Sequence, residues 1–166
     1  MDRNRFAAIH CSVARAAGAV ADPWTLLVLR DLFLGLRRFE ELRQDLGIAT
    51  NILTDRLDRL VAEGLAERRP YSSHPLRHEY HLTPAGEDLH GVVLALLAWG
   101  DRHRAGGDGV PLVPEHTVCG HPAVATVVCD HCGGTLTADS VSYRPGPGGR
   151  QAPGTSLVAT RLAHGD

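Results

Sequence analysis

A connection of only three or four residues between two short amphipathic segments most constrains how this chain can fold. In FEELRQDL, the apolar residues Phe39, Leu42 and Leu46 recur on one face of a helix, and Gly47 follows at the position where helices often end. The next segment, IATNILTDRLDRLVAEG, has Thr50 as a candidate N-cap and its leucines on one face. A connection of this length is typical of a helix-turn-helix.

A β-hairpin is predicted directly after the helix pair. Residues 65–69 and 79–82 have the pattern of two short strands. The intervening PYSSHPLRH is rich in Pro, Ser and His, which disfavours a helix. A hairpin in this position is a wing, so the expected fold class is mainly α (α+β), a winged helix-turn-helix.

Further helices are predicted on both sides of this unit. Residues 11–21 have small side chains at helical spacing, and Asp22-Pro23 supplies a cap and a first helical residue for a helix that stops at Gly35. Thr83-Pro84 opens a long helix that runs to Arg104 and carries more apolar surface than one small domain needs. We therefore expect these N- and C-terminal helices to form a homodimer interface.

Composition divides the chain into four parts. The winged helix-turn-helix occupies residues 1–104, and a Gly/Pro linker follows at 105–114. Residues 115–144 form a compact Cys/His segment with β-prone Val and Thr, and the Gly/Pro-rich tail at 145–166 is expected to be disordered.

The charge balance gives no general sign of a nucleic-acid partner. The chain has 17 basic residues, all arginine, against 19 acids, and its formal charge is −2. A DNA-binding hypothesis therefore depends on local basic patches. No apolar run approaches the roughly 18 residues that span a bilayer, and the start MDRNRFAAIH lacks the apolar core of a signal peptide. We expect a cytoplasmic protein without membrane contact.

Several stretches, in order and spacing, resemble the HxlR family of bacterial transcription regulators, which are relatives of the MarR type. They lie within residues 11–100: CSVARAAGAV, WTLLVLRDLFLGLRRFEELRQDL, IATNILTDRLDRLVAEGLAERR, and EYHLTPAGEDL followed by LAWG. The resemblance implies a homodimeric repressor or activator that places the helix from Thr50 in the major groove. Ser12, where the family usually has proline, and Ala21-Asp22-Pro23, where a Gly-Gly-Lys/Arg type turn is common, depart from the family pattern.

The same helix provides the candidate base contacts. With Leu53, Leu57 and Leu60 buried, its opposite face remains for solvent or a groove; an ordinary solvated face is the alternative, which the wing context disfavours. Amide, hydroxyl and guanidinium groups can read base edges or bind phosphate. Of the five arginines in the hairpin and before the first helix of the pair, we expect one or two to be surface ion pairs. The candidate DNA contacts are Arg37, Arg38, Thr50, Asn51, Thr54, Arg56, Arg59, Arg68, Arg69, Arg77 and His78.

Cys11 is a candidate redox sensor. It begins the first predicted helix, where the helix dipole and free amide groups favour a thiolate, and His10 and Arg15 lie nearby in sequence. In several members of the resembled family, the cysteine at this CxV position senses oxidants or electrophiles. The alternative is a small buried apolar residue at a helix start.

The remaining cysteines suggest a zinc site. His116-Thr-Val-Cys119-Gly and Cys129-Asp-His-Cys132-Gly are two turns of the form ligand-x-x-ligand-Gly, similar to a shortened zinc ribbon. His121 is an alternative to His116 as the fourth ligand. Four protein ligands favour a structural Zn²⁺ over a catalytic one. The alternative is a metal-free hairpin with vestigial cysteines.

The sequence gives little support for an enzymatic function, because it lacks G-x-S-x-G, P-loop and H-E-x-x-H motifs. We expect a non-enzymatic regulator, a repressor, that binds an inverted-repeat double-stranded DNA operator as a homodimer and responds to an oxidant or small-molecule effector. The alternative is a winged-helix module that binds proteins or ligands without specific DNA binding. The acidic balance and the aspartates on the helix from Thr50 favour that alternative.

Overall fold

The structure, a computed structural model, describes residue 6 and residues 8–164. The predicted first domain, which starts at residue 1, and the predicted tail, which ends at residue 166, both extend outside these residues. In the described part of the chain, no helix is long and apolar enough to cross a membrane. The elements in chain order are α1 (Ser12–Val20), α2 (Pro23–Phe33), α3 (Phe39–Leu46), α4 (Thr50–Ala62), β1 (Ala66–Ser73), β2 (Leu76–Leu82), α5 (Pro84–Glu87), α6 (His90–Arg104), β3 (Glu115–His116), β4 (His121–Pro122) and α7 (Ser156–His164).

The core lies where α2, α3 and α4 meet. Leu29 of α2, Leu42 of α3 and Leu53 of α4 have no exposed surface, and neither do Leu57 and Leu60. The wing adds Ala66 and Tyr80 to the same cluster; the full set is Val20, Val28, Leu29, Leu32, Leu42, Ile48, Leu53, Leu57, Leu60, Ala66 and Tyr80. This winged helix-turn-helix arrangement of helices and a small sheet confirms that part of the predicted fold class.

Local capping signals place most helix ends correctly. The Asp22 carboxylate accepts a hydrogen bond from the Thr25 amide at 3.2 Å, and Pro23 is the first residue of α2. α3 ends at Leu46, and its C-cap is Gly47, whose φ of 58° is left-handed. The predicted cap of α4 is wrong by one residue, because Ala49 is the N-cap and Thr50 already belongs to the helix.

The wing is longer than predicted. β1 and β2 pair antiparallel from Ala66–Leu82 to Ser73–Leu76, so most of PYSSHPLRH lies in strands. The ladder is irregular between Pro70 and Ser72. A strand of a two-stranded ribbon has a free edge, and an edge strand tolerates a proline that lacks the N–H.

The predicted long helix after the wing is interrupted. α5 ends at Glu87, and α6 begins at His90. Within this structure α6 has no buried residue, and Val92, Leu96 and Trp99 are each about half exposed. The apolar surplus predicted for this helix is therefore present as an exposed surface.

The C-terminal part contains two short hairpins and a helix. β3 pairs with β4, and a bridge joins Val128 to Thr135. The prediction of disorder for 145–166 is wrong for α7, because the nine residues of this helix include no glycine or proline. The segment before α7 returns to the start of the chain, where the His10 amide donates to the Pro153 carbonyl at 3.4 Å.

Gly86 lies where α5 meets the base of the wing, and it permits a close backbone approach. A Cβ at this position would lie 2.0 Å from the carbonyl oxygen of Leu65, which is backbone and cannot easily move. We expect Gly86→Ala to lower the free energy of unfolding by about 2 to 4 kcal/mol in urea denaturation at fixed protein concentration. Gly91→Ala is the matched control, since no atom lies within 4 Å of its added Cβ. An equal loss in both variants would contradict the steric explanation.

Candidate nucleic-acid interface

The outer face of α4, which we define as Thr50, Asn51, Thr54, Asp55 and Asp58, is exposed along its whole length. It faces away from the core because the leucines on the opposite side are fully buried. The Thr54 hydroxyl donates to the Thr50 carbonyl at 2.9 Å and keeps its lone pairs as acceptors. Among the described residues, the Asn51 amide makes no side-chain hydrogen bond, so it is available to an external partner.

Arg56 does not belong to this face, which corrects its prediction as a DNA contact. Its guanidinium forms two hydrogen bonds with the Asp22 carboxylate, 2.7 Å from Nε to Oδ1 and 3.1 Å from Nη2 to Oδ2. It also pairs with Asp55, and its side chain is only 17% exposed. Arg56 therefore connects α4 to the capping residue of α2.

Arg59 is the second correction. Its Nη2 donates to the carbonyl oxygen of Gly18 in α1. Its Nη1 is buried and has no hydrogen-bond partner among the described residues. Arg59 therefore connects α4 to α1.

Ion pairs neutralise more of the basic patch than predicted. Three of the five arginines in the wing and before α3 are paired: Arg38 with Glu79, Arg68 with Asp58, and Arg69 with Glu67. The partners in the first two pairs lie 41 and 10 residues apart in the sequence. Local sequence patterns therefore did not reveal these pairs. The wing therefore presents acids and arginines side by side.

Arg38 joins the start of α3 to the wing. Its Nε lies 3.0 Å from Glu79 Oε1, and its guanidinium stacks 4.7 Å from the centre of the Tyr71 ring. The hydrogen bond from Arg38 holds the pKa of the Glu79 carboxyl below its usual value. Tyr71, exposed on β1, was missed by the sequence analysis, and the only signal for it was one aromatic residue within PYSSHPLRH.

Arg77 and His78 of the wing, and Arg37 before α3, form no ion pairs with acids among the described residues. Arg77 is exposed and has no ion pair among the described residues. His78 is half-buried and lies opposite Pro70 in the ladder. Arg37 is exposed, and its Nη1 lies 3.2 Å from His81 Nδ1. On the wing and before α3, arginine charge is therefore partly masked by acids.

Cys11 is the N-cap of α1 and is half-buried, one position before the first helical residue. Its carbonyl accepts from the Arg15 amide at 3.1 Å. The side chains predicted to stabilise a thiolate are used elsewhere, since His10 contacts the Gly148 carbonyl and Arg15 donates to Ser12 Oγ at 3.1 Å.

The candidate zinc ligands form two separate pairs. His116 Nδ1 lies 3.3 Å from Cys119 Sγ. In the other turn, backbone amides of Cys132 and His131 donate to the Cys129 sulfur and lower the pKa of its thiol. Within the described residues, no three His, Cys, Asp or Glu side chains are close enough together to hold a metal ion, so the predicted four-ligand cluster is not assembled.

Comparisons with known proteins agree with this geometry. A family model described as HxlR-like helix-turn-helix matches residues 19–107. An uncharacterised HTH-type transcriptional regulator of Mycobacterium tuberculosis is 47% identical over 137 residues, which cover 82% of this chain and 87% of the relative. The crystal structure of PA1607, a candidate transcription factor, has a TM-score of 0.73 at 32% identity and covers 81% of this chain and 94% of that one. The redox regulator HypR in its reduced form has a TM-score of 0.54 at 29% identity, covering 57% and 94%.

The interior position of Arg56 leads to a stability prediction. Arg56→Gln removes two hydrogen bonds to a carboxylate that is itself only 22% exposed. We expect the free energy of unfolding in urea to fall by about 1 to 3 kcal/mol. Arg77→Gln, the matched control on the exposed wing, should change it by less than about 0.5 kcal/mol. Equal stability of the two variants would contradict a stabilising role for the contact between Arg56 and Asp22.

Proposed function

Because the chain belongs to the HxlR-like helix-turn-helix family of transcription regulators, we propose that it represses transcription by binding an inverted-repeat operator as a homodimer. One observation carries the proposal: the exposed outer face of α4 stands beside a two-stranded wing. In winged proteins of this kind, the second helix of the pair enters the major groove. The protein acts as a non-enzymatic regulator whose partner is double-stranded DNA.

Direct base reading is assigned to the first turns of α4. The amide of Asn51 presents a donor and an acceptor, the pattern that pairs with adenine in the major groove. The hydroxyl groups of Thr50 and Thr54 can contact bases or phosphates. The two aspartates on this face do not repel DNA with full charge, because Asp55 pairs with Arg56 and Asp58 pairs with Arg68.

Phosphate contacts are assigned to the arginines around the wing. Arg77 is the most available, since it has no ion pair in the described structure. Arg38, Arg68 and Arg69 each hold an acid in exposed pairs, which solvent screens and which stabilise little. Phosphates can therefore replace Glu79 on Arg38 and Glu67 on Arg69, and binding should weaken steeply as salt increases.

Dimerisation is assigned to α6 together with α1. The side chains of Val92, Leu96 and Trp99 are between 47% and 51% exposed, and Val13 of α1 is 76% exposed. Burying such apolar surface against a second copy is favourable. A two-fold axis would present two copies of α4 to half-sites about one helical turn apart.

An oxidant or small-molecule effector is assigned to the region of α1. Cys11 caps this helix, and Arg59 links the helix to α4 through the Gly18 carbonyl. The solved relative HypR is a redox regulator. Oxidation of Cys11 would displace α1 and, through this link, change the position of α4.

The second candidate function is a winged-helix module that binds protein or ligand without specific DNA binding. The observation in its favour is the neutralisation of Arg38, Arg68 and Arg69 by acids. Salt dependence separates the two functions, because only phosphate neutralisation releases condensed counterions.

The deciding experiment selects operators from a randomised duplex DNA pool and measures binding by fluorescence anisotropy at two salt concentrations. We expect selected DNA to bind at least about a hundredfold more tightly than a scrambled duplex, with a steep loss in higher salt. Failure to enrich any sequence, with weak and salt-insensitive binding, would favour the second function.

Two variants assign the contacts within this experiment. Asn51→Ala should reduce the preference for selected over scrambled DNA by about tenfold or more and leave the salt slope unchanged. Arg77→Ala should keep the preference and reduce the slope by about one. Gln151→Ala, the same amide deletion placed in the tail, should change neither quantity. If Asn51→Ala retains full preference, α4 is not the reading helix.

Cys11 is tested by release from DNA after peroxide or quinone treatment. We expect the wild type to release selected DNA and Cys11→Ser to remain bound, because serine cannot be oxidised in this way. Without oxidant, Cys11→Ser should bind the selected DNA as tightly as the wild type, which shows that the substitution leaves the DNA-binding fold intact. If Cys11→Ser releases DNA as the wild type does, Cys11 is not the sensor and its role is structural.

A further inference from the structure

The two Cys/His turns of the C-terminal part have the same backbone geometry. The Gly120 amide donates to the His116 carbonyl at 2.8 Å, and the Gly133 amide donates to the Cys129 carbonyl at the same distance. Gly120 and Gly133 have φ values of 67° and 71°, a left-handed conformation that favours glycine. Each turn therefore repeats one design, with a glycine four residues after its first candidate ligand.

The first turn also brings its two ligand atoms to a separation that suits zinc. In a tetrahedral site with Zn–N about 2.0 to 2.1 Å and Zn–S about 2.3 Å, nitrogen and sulfur lie about 3.5 Å apart. The observed distance from His116 Nδ1 to Cys119 Sγ is 3.3 Å. In the second turn, the Cys129 sulfur interacts with the Cys132 side chain and accepts backbone hydrogen bonds.

Residues 115–144 have no apolar core that could hold these turns in place. In this described segment no side chain is buried, and Val118, Val124 and Val127 are 86%, 69% and 60% exposed. The pairing of β3 with β4 involves two residues on each strand. Segments of this size without a core depend on disulfides or a structural metal for a fixed fold.

The connection between the turns is long enough to let them meet. Residues 120–128 separate Cys119 from Cys129 and could extend to about 30 Å, so the chain can fold back between them. Two half-sites on one flexible connection can be joined by metal coordination, which supplies folding free energy.

We propose that His116, Cys119, Cys129 and Cys132 bind one Zn²⁺ ion per chain, and that this ion joins the two turns into one folded module. The ion has a structural role, because four protein ligands leave no open coordination position. His116 is assigned as the fourth ligand in preference to His121, because His116 Nδ1 lies 3.3 Å from Cys119 Sγ whereas His121 Nδ1 contacts the Cys119 carbonyl at 2.7 Å.

The test measures metal in the full-length, untagged protein, purified under reducing conditions and supplied with Zn²⁺. After gel filtration with a weak chelator, we expect one zinc per chain by elemental analysis. Replacement by Co²⁺ should give the absorption of a tetrahedral, thiolate-ligated ion. Cys119→Ser, Cys129→Ser, Cys132→Ser and His116→Gln should each lose the metal. His121→Gln and His131→Gln, the matched histidine controls, should retain it.

Three results would overturn the proposal. Zinc content near zero would remove the site, and half an ion per chain would place it between two chains. If His121→Gln loses zinc and His116→Gln retains it, His121 and not His116 is the fourth ligand. Hydrogen exchange gives a second measurement: chelation should remove amide protection from residues 115–136 and leave α4 unchanged. Neither measurement uses DNA, so the zinc proposal and the proposed function can fail independently.

Discussion

Burial of one leucine stripe determines the orientation of everything that this protein can present to a partner. Leu53, Leu57 and Leu60 of α4 have no exposed surface, and turning them outward would expose all of that apolar area to water. Since a helix has one rotational setting that buries such a stripe, Asn51 and Thr54 have only one direction in which to point. The binding surface is thus a consequence of core packing.

Two arginines next to that stripe give α4 a second kind of attachment. Arg56 holds Asp22 at the start of α2, and Arg59 holds the Gly18 carbonyl of α1. Arginine commonly binds DNA, but here both arginines join α4 to the helices before it. A rotation of α1 must therefore move α4 with it or break the bond from Arg59.

Features with a local cause were predictable from the sequence, whereas those with distant causes were not. The Asp22-Pro23 start of α2 and the Gly47 end of α3 depend on neighbouring residues and appear as predicted. The partners of Arg56 and Arg59 lie 34 and 41 residues away, so no local pattern could reveal them. The two Cys/His turns show the same limit, because spacing predicts each turn but does not determine whether the turns meet.

The contact between His10 and the segment before α7 has a topological consequence. The His10 amide and ring reach the Pro153 and Gly148 carbonyls, and Ile9 lies against Gly154. The residues just before α1 and those just before α7 therefore lie side by side. A circularly permuted protein, joined across this contact and opened in the exposed 105–114 linker, would keep every helix of the winged unit intact. The order of the elements along the chain is thus separable from their arrangement in space.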